Sequence, residues 1–202
     1  ILSFNNTNKT IGDNSRGYFI QRSGIHTSIA KMPISVNYIT WLRKNISKYD
    51  IIHLHYPNPF SDLALLLSGF KGKLIVHWHS DIIKQKFTHI LYSPLRRWML
   101  NKADKIIATS SNYAQGSSLL NYYKDKVIVV PLGFNHKRLP YADSKQINQI
   151  KQKYGGKKII FSLGRQVYYK GFEYLIKSAQ YLDDSYQILI GGKGELYDTH
   201  KK

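Results

Sequence analysis

Short apolar runs alternate with helix-spaced segments along most of this chain. "DIIHLH" (50–55) is a brief apolar run bounded by turn residues, and it predicts a buried strand. "FSDLALLLSG" follows with helical spacing and a closing Gly69. "KLIVHWH" (73–79) predicts the next strand. A long basic helical region comes after it, with Ser93 and Pro94 expected as N-cap and first helical residue. "DKIIATS" (104–110) and "DKVIVVPLG" (125–133) predict two more strands. One helix is expected between them, capped by Ser110 or Ser111 and running through "NYAQGSSLLNYY". This rhythm implies an α/β fold, a parallel sheet with helices on both faces. Before residue 49 the pattern is thinner: "ILSF" reads as a strand and "ISVNYITWLRKNI" has helical spacing.

After Pro131-Leu132-Gly133 the pattern breaks into polar "NHKRLPYADS". We place a first domain over 1–138 and a linker with a helix, capped near Asp143-Ser144, over 139–156. A second domain then begins over 157–202. That last part holds one βαβ unit ("KKIIFSLG", "YLIKSAQYL", "YQILIGG"), too little to bury a core of its own.

Composition narrows the function. With 43% hydrophobic and 13% aromatic residues the chain is too apolar to be disordered, and with no cysteine it can form neither disulfides nor thiolate metal sites. No apolar run has the length of a membrane span. The 30 Lys and Arg against 12 Asp and Glu give a net charge of +18, of which +13 lies before residue 139 and +5 after it. Such an excess suits phosphorylated substrates, an anionic membrane face or nucleic acid, but no long basic tract supports the last. Arg96, Arg97 and Lys102 flank a helical stripe of Leu91, Leu95 and Trp98, which reads either as a core face or as a lipid-facing one.

In "FSLGRQVYYKGFEYLI" (161–176) a strand ends in Gly164-Arg165, and Lys170-Gly171 opens an amphipathic helix. A helix start and two cations make an anion site: Arg165 offers a planar fork for phosphate oxygens and Lys170 a point charge. The alternative is an ordinary basic loop facing solvent; Tyr168 and Tyr169 read as packing residues. A second feature is the pair of His-x-His strand ends, His53 with His55 and His77 with His79. Residues two apart share a face of a strand, and ligand sites of open α/β sheets lie beyond the strands' carboxyl ends. Four histidines there suit a metal-dependent hydrolase, but no cluster of acids completes a hydrolytic centre. The plainer reading packs one histidine of each pair and leaves the other lining a cleft.

Taken in order, "IIHLHYPNP", "VHWHSDIIKQK", "LYSPLRRWMLNKADKIIATSSNYAQGS", "KVIVVPLGFN", "GRQVYYKGFEYLI" and "LIGGKGEL" resemble a family 4 glycosyltransferase over residues 50–196. The resemblance implies the GT-B fold, two Rossmann-like domains facing across a cleft, with the first βαβ unit of the second domain present here. It implies retaining transfer of a sugar from a nucleotide-sugar to a glycan or lipid-linked acceptor, in bacterial surface polysaccharide or lipopolysaccharide synthesis. No metal or other cofactor is expected. By the same resemblance Arg165, Lys170, Gly164 and Gly171 hold the donor diphosphate, and Gly192 and Gly194 let the nucleotide approach. His79 is the cleft histidine that contacts the transferred sugar, and His55, Asp81 and Lys84 line the acceptor side. The family's paired-glutamate signature and its first glycine-rich loop are not matched, so an interior piece without transfer activity of its own is expected. The expected location is cytoplasmic, on the inner face of the membrane. A histidine-metal hydrolase and a basic nucleic-acid-binding module are the alternatives.

Overall fold

The computed structural model describes residues 1–201 apart from 16, 30, 31, 83–85, 134 and 140. Its contacts separate two units, residues 1–134 and 135–202.

The first unit is built on four parallel strands, β6 (Ile51–Tyr56), β7 (Lys73–Trp78), β8 (Lys105–Ala108) and β9 (Val127–Val129), in that spatial order. Ahead of them lie β1 (Leu2–Phe4), β2 (Ile11–Asp13) and β3 (Ile20–Ser23), which form a small sheet, then the hairpin β4 (Thr27–Ile29) and β5 (Met32–Ile34), and helix α1 (Val36–Asn45). Strand alternation decides what the main sheet buries. The even positions Leu54, Val76 and Ile106 are neighbours across three strands, as are Tyr56, Trp78 and Ala108, and all six are buried. Tyr56 and Trp78 stack with ring centroids 3.7 Å apart. Leu65 of α2 (Pro59–Ser68) and Met99, Leu100 and Ala103 at the end of α3 (Lys86–Lys102) and just after it close this core. The odd positions face the other way. His53 and His55 are exposed there, His77 is half-buried, and Ile51 is 56% exposed.

Local chemistry sets the ends of α2. Asn58 accepts the Ser61 amide at 3.2 Å, Pro59 fills the first position, where its missing N–H costs nothing, and Gly69 closes the helix in the left-handed region at φ 68. Two helices differ from expectation. Helix α3 does not begin at Ser93-Pro94; it starts at Lys86 and carries Pro94 inside. Proline leaves the carbonyl four residues back without its donor. Here that carbonyl belongs to Ile90, and the Ser93 hydroxyl donates to it at 3.0 Å. The stripe of Leu91, Leu95 and Trp98 splits: Leu91 is 83% exposed, while Trp98 packs partly buried against the core that Met99 and Leu100 enter fully. The single helix expected after β8 is two, α4 (Ser111–Gly116) and α5 (Ser118–Tyr122), because Ser117 turns extended and caps α5 through the Leu120 amide.

The second unit holds α6 (Ser144–Lys153), capped by Asp143, the parallel pair β10 (Lys158–Leu163) and β11 (Tyr186–Gly191), α7 (Phe172–Ser178) and α8 (Tyr197–His200). Its strands bury little; Phe161 is 63% and Leu163 73% exposed. What this unit does bury is the turn after β10: Gln166, Val167 and Phe172.

Candidate functional site

Two groups of side chains stand at the carboxyl ends of parallel strands, one in each unit. In the second unit β10 ends at Leu163, and the backbone then runs through Gly164, Arg165 and a tight 3-10 turn over Tyr168–Lys170. Gly171 takes φ 66, a value that suits glycine, and opens α7. Arg165 and Lys170 are both exposed. Lys170 Nζ lies 5.8 Å from the centre of the Tyr169 ring, so this tyrosine borders the cation rather than packing inward. Helix α7 has only seven residues and no side-chain cap, which leaves most of the anion-holding capacity with the two cations.

The glycines after β11 serve this loop in a way the sequence does not suggest. A Cβ on Gly192, at φ 112, would sit 2.1 Å from the Gly164 carbonyl oxygen, and one on Gly194 would sit 2.3 Å from that of Gln166. Both glycines thus allow two backbones to touch, whatever else approaches them. Gln166, 3% exposed, fastens the same crossing. Its Nε2 donates to the Gly192 carbonyl at 2.9 Å, its Oε1 is 2.9 Å from His200 Nδ1, and its backbone N–H donates to the Lys193 carbonyl at 3.0 Å. A lone glutamine carries no sequence signal for such a role. The loop bearing Arg165 is therefore held from behind by β11.

In the first unit the two His-x-His pairs meet. Register sets His55 opposite His77, and all four rings stack, with centroids 4.4 Å apart for His77–His79 and 5.0–5.4 Å for the other close pairs. His55 Nδ1 and His79 Nε2 share a hydrogen bond of 2.8 Å, and the His79 backbone N–H donates to the Tyr56 carbonyl. Burial first, and the neighbouring rings second, hold the His55 and His77 imidazoles below their ordinary pKa of 6.5. The β6 pair does not split into one packed and one cleft-lining residue; His53 and His55 together border a cavity of about 530 Å³, with Trp41, Asn58 and Ser61, whereas on β7 His77 is half-buried and His79 exposed.

Asp81 works locally. It accepts the Trp78 indole N–H and the Ser117 hydroxyl, each at 3.1 Å, and so ties down the segment that carries His79. Lys84 lies outside the described residues. A further acid escaped the sequence reading: Asp62, fully buried on α2, accepts a hydrogen bond from the Tyr92 hydroxyl, and burial pushes its carboxyl up to about 7.

Comparison with known proteins agrees with this architecture. The model of Glycosyltransferase Family 4 matches residues 10–138. D-rhamnosyltransferase WbpZ of Pseudomonas aeruginosa is 31% identical over 180 residues, which are 89% of this chain and 46% of that protein. O-antigen chain mannosyltransferase C of Escherichia coli is 34% identical over 152 residues, 75% of this chain and 40% of that protein. The chain thus spans less than half the length of either relative. Among solved structures, Anabaena Alr3699/HepE in complex with UDP and glucose superposes with a TM-score of 0.65 at 14% identity, covering 80% of this chain and 44% of that one. The alpha,alpha-trehalose 6-phosphate synthase of Burkholderia multivorans gives 0.64 at 12% identity, covering 99% and 59%. At such identities these two speak for the fold alone, α/β of the GT-B type.

Proposed function

Because this chain belongs to glycosyltransferase family 4, we propose that it serves the transfer of a sugar from a nucleotide-sugar to a glycan or lipid-linked acceptor. The observation that carries this reading is the loop after β10, where Arg165 and Lys170 stand exposed on a backbone braced by Gly192, Gly194 and Gln166. As a sugar–phosphate bond breaks, negative charge grows on the departing diphosphate, and cations already in place stabilise it without reorganising. Two side-chain cations supply what a metal ion supplies elsewhere, so the transfer is read as metal-independent. His79 takes the sugar side, held in orientation by His55, and retention of configuration follows the family. The names of the two relatives favour a sugar of the mannose or rhamnose type and a bacterial surface polysaccharide as the product.

Thermal-shift screening against a panel of nucleoside-diphosphate sugars tests the donor reading. A rise in melting temperature is expected with at least one of them, shrinking as salt is added. No shift with any donor beyond that of an ionic-strength control would overturn it.

The acceptor side and the location belong to the same proposal. No helix among the described residues is long and apolar enough to cross a membrane. Ile90 and Leu91 are 67% and 83% exposed on α3, beside a groove of about 460 Å³ lined by Ser93, Arg96, Arg97, Ser118 and Tyr122. Lys102, by contrast, lies over the Phe70 ring at 5.9 Å, away from that groove. Apolar residues beside arginines fit the inner face of an anionic membrane. Vesicle sedimentation should show stronger binding to anionic than to neutral lipid; equal binding would remove this part.

A further inference from the structure

We propose that His53, His55 and His77 form a binding site for one divalent transition-metal ion of the zinc class. The sheet supplies them in a useful arrangement: two from β6, two residues apart on one face, and a third from β7 in register with the second. One nitrogen from each lies within 4.8 Å of those of the other two. In a tetrahedral zinc site, with Zn–N of about 2.0–2.1 Å, the ligand nitrogens stand about 3.4 Å apart. The three rings stack within 24° of parallel, so binding takes a turn of the rings that aims their nitrogens at one point, and the exposed His53 and His55 have room for it.

A second observation points the same way. Nε2 of His77 is buried and has no hydrogen-bond partner. A buried polar atom left unpaired is costly, and an ion among the three rings is a partner of the right chemistry. His55 already engages His79 through Nδ1 and keeps Nε2 for the ion. That leaves His79 as the outer partner which orients a metal-bound imidazole.

The donor set also decides which ion. Three imidazoles without a carboxylate favour zinc, copper(II) or nickel over magnesium and calcium, which prefer oxygen. With three protein ligands, the fourth position is open to water or to a ligand's oxygen. This inference concerns binding, and it neither needs nor supplies the metal-independent transfer proposed above.

Calorimetric titration of Zn²⁺ into the 202-residue chain, stripped with EDTA and dialysed, reads the site directly. One saturable ion per chain is expected, with a tetrahedral visible spectrum when Co²⁺ replaces zinc. His53→Gln, at an exposed position, is expected to weaken binding at least tenfold. The double variant His53→Ala/His77→Ala should abolish it, with far-UV circular dichroism confirming that the chain still folds. His26→Ala, remote from the cluster, should bind like the unaltered chain. No saturable binding, or one-to-one binding unchanged in His53→Gln, would overturn the proposal even if the double variant failed to fold.

Discussion

Alanine at Arg165 or at Lys170, made in a transferase of its relatives' full length that carries this chain, is expected on the proposed function to lower sugar transfer by about 10²–10³-fold each, the usual effect of removing one preorganised charge-stabilising group from a transfer site. The loss should fall mainly on kcat, because charge on the diphosphate is greatest as the glycosidic bond breaks. Ground-state affinity should fall less, in a salt-dependent way. Arg165→Lys should recover only part of the rate, since an ammonium cannot repeat the two-pronged grip of a guanidinium. The double variant should lose less than the product of the single losses, because both cations act on one leaving group. Steady-state kinetics with the donor found by thermal shift checks each point. Rates within about twofold of the unaltered enzyme would mean that the loop after β10 is an ordinary basic turn.

The second large effect concerns stability. Asp62 is fully buried, and its carboxyl titrates at about 7 in the folded chain against 3.8 for the ordinary group. Between those values the folded chain holds a proton that the unfolded chain has released. Stability therefore falls as pH rises from about 4 to 7, and levels off above. The shift corresponds to a stability loss on the order of 4 kcal/mol at pH 8. Asp62→Asn removes the ionisation while keeping a group able to accept the Tyr92 hydrogen bond, so it should be the more stable form at pH 8. His55 and His77 act in the opposite sense. With pKa values below 6.5 in the folded state, they add stability as pH rises through their folded values towards 6.5. Urea melts of both proteins at pH 5 and pH 8 isolate the aspartate, because the histidine contribution cancels in their difference. Parallel pH dependences would show that Asp62 is ionised throughout.

The strands of the main sheet could be read because each is a short apolar run between turn residues. Helix α2 could be read because Asn58, Pro59 and Gly69 are local signals. Helix α3 could not. Ser93-Pro94 is a strong start signal, but the Ser93 side chain satisfies the one carbonyl that the proline leaves bare, and the helix passes through. The break at Ser117 depends on what its hydroxyl meets in three dimensions. The histidine pairs were visible from their two-residue spacing, whereas their meeting depends on the register of β6 with β7, which is set by the whole sheet. The glycines at 192 and 194 were visible as glycines. Their service to a backbone crossing, and that of Gln166, depends on contacts more than twenty residues away. Asp62 and Tyr92 are thirty residues apart, and neither stands in a pattern that announces a pair.

Ser117 joins two jobs in one hydroxyl group: it accepts the amide that begins α5 and donates to Asp81, which also holds the Trp78 indole. The helix start and the segment bearing His79 therefore share a fastening, and neither can fray alone. Alanine at this position would loosen both at once. Threonine keeps the oxygen, but it must fit a methyl where the serine is already 1% exposed. A mutational survey of this chain would meet Ser117 as a position intolerant of change although its hydroxyl serves only a backbone amide and a carboxylate. Its intolerance would be inherited from the histidine it helps to hold.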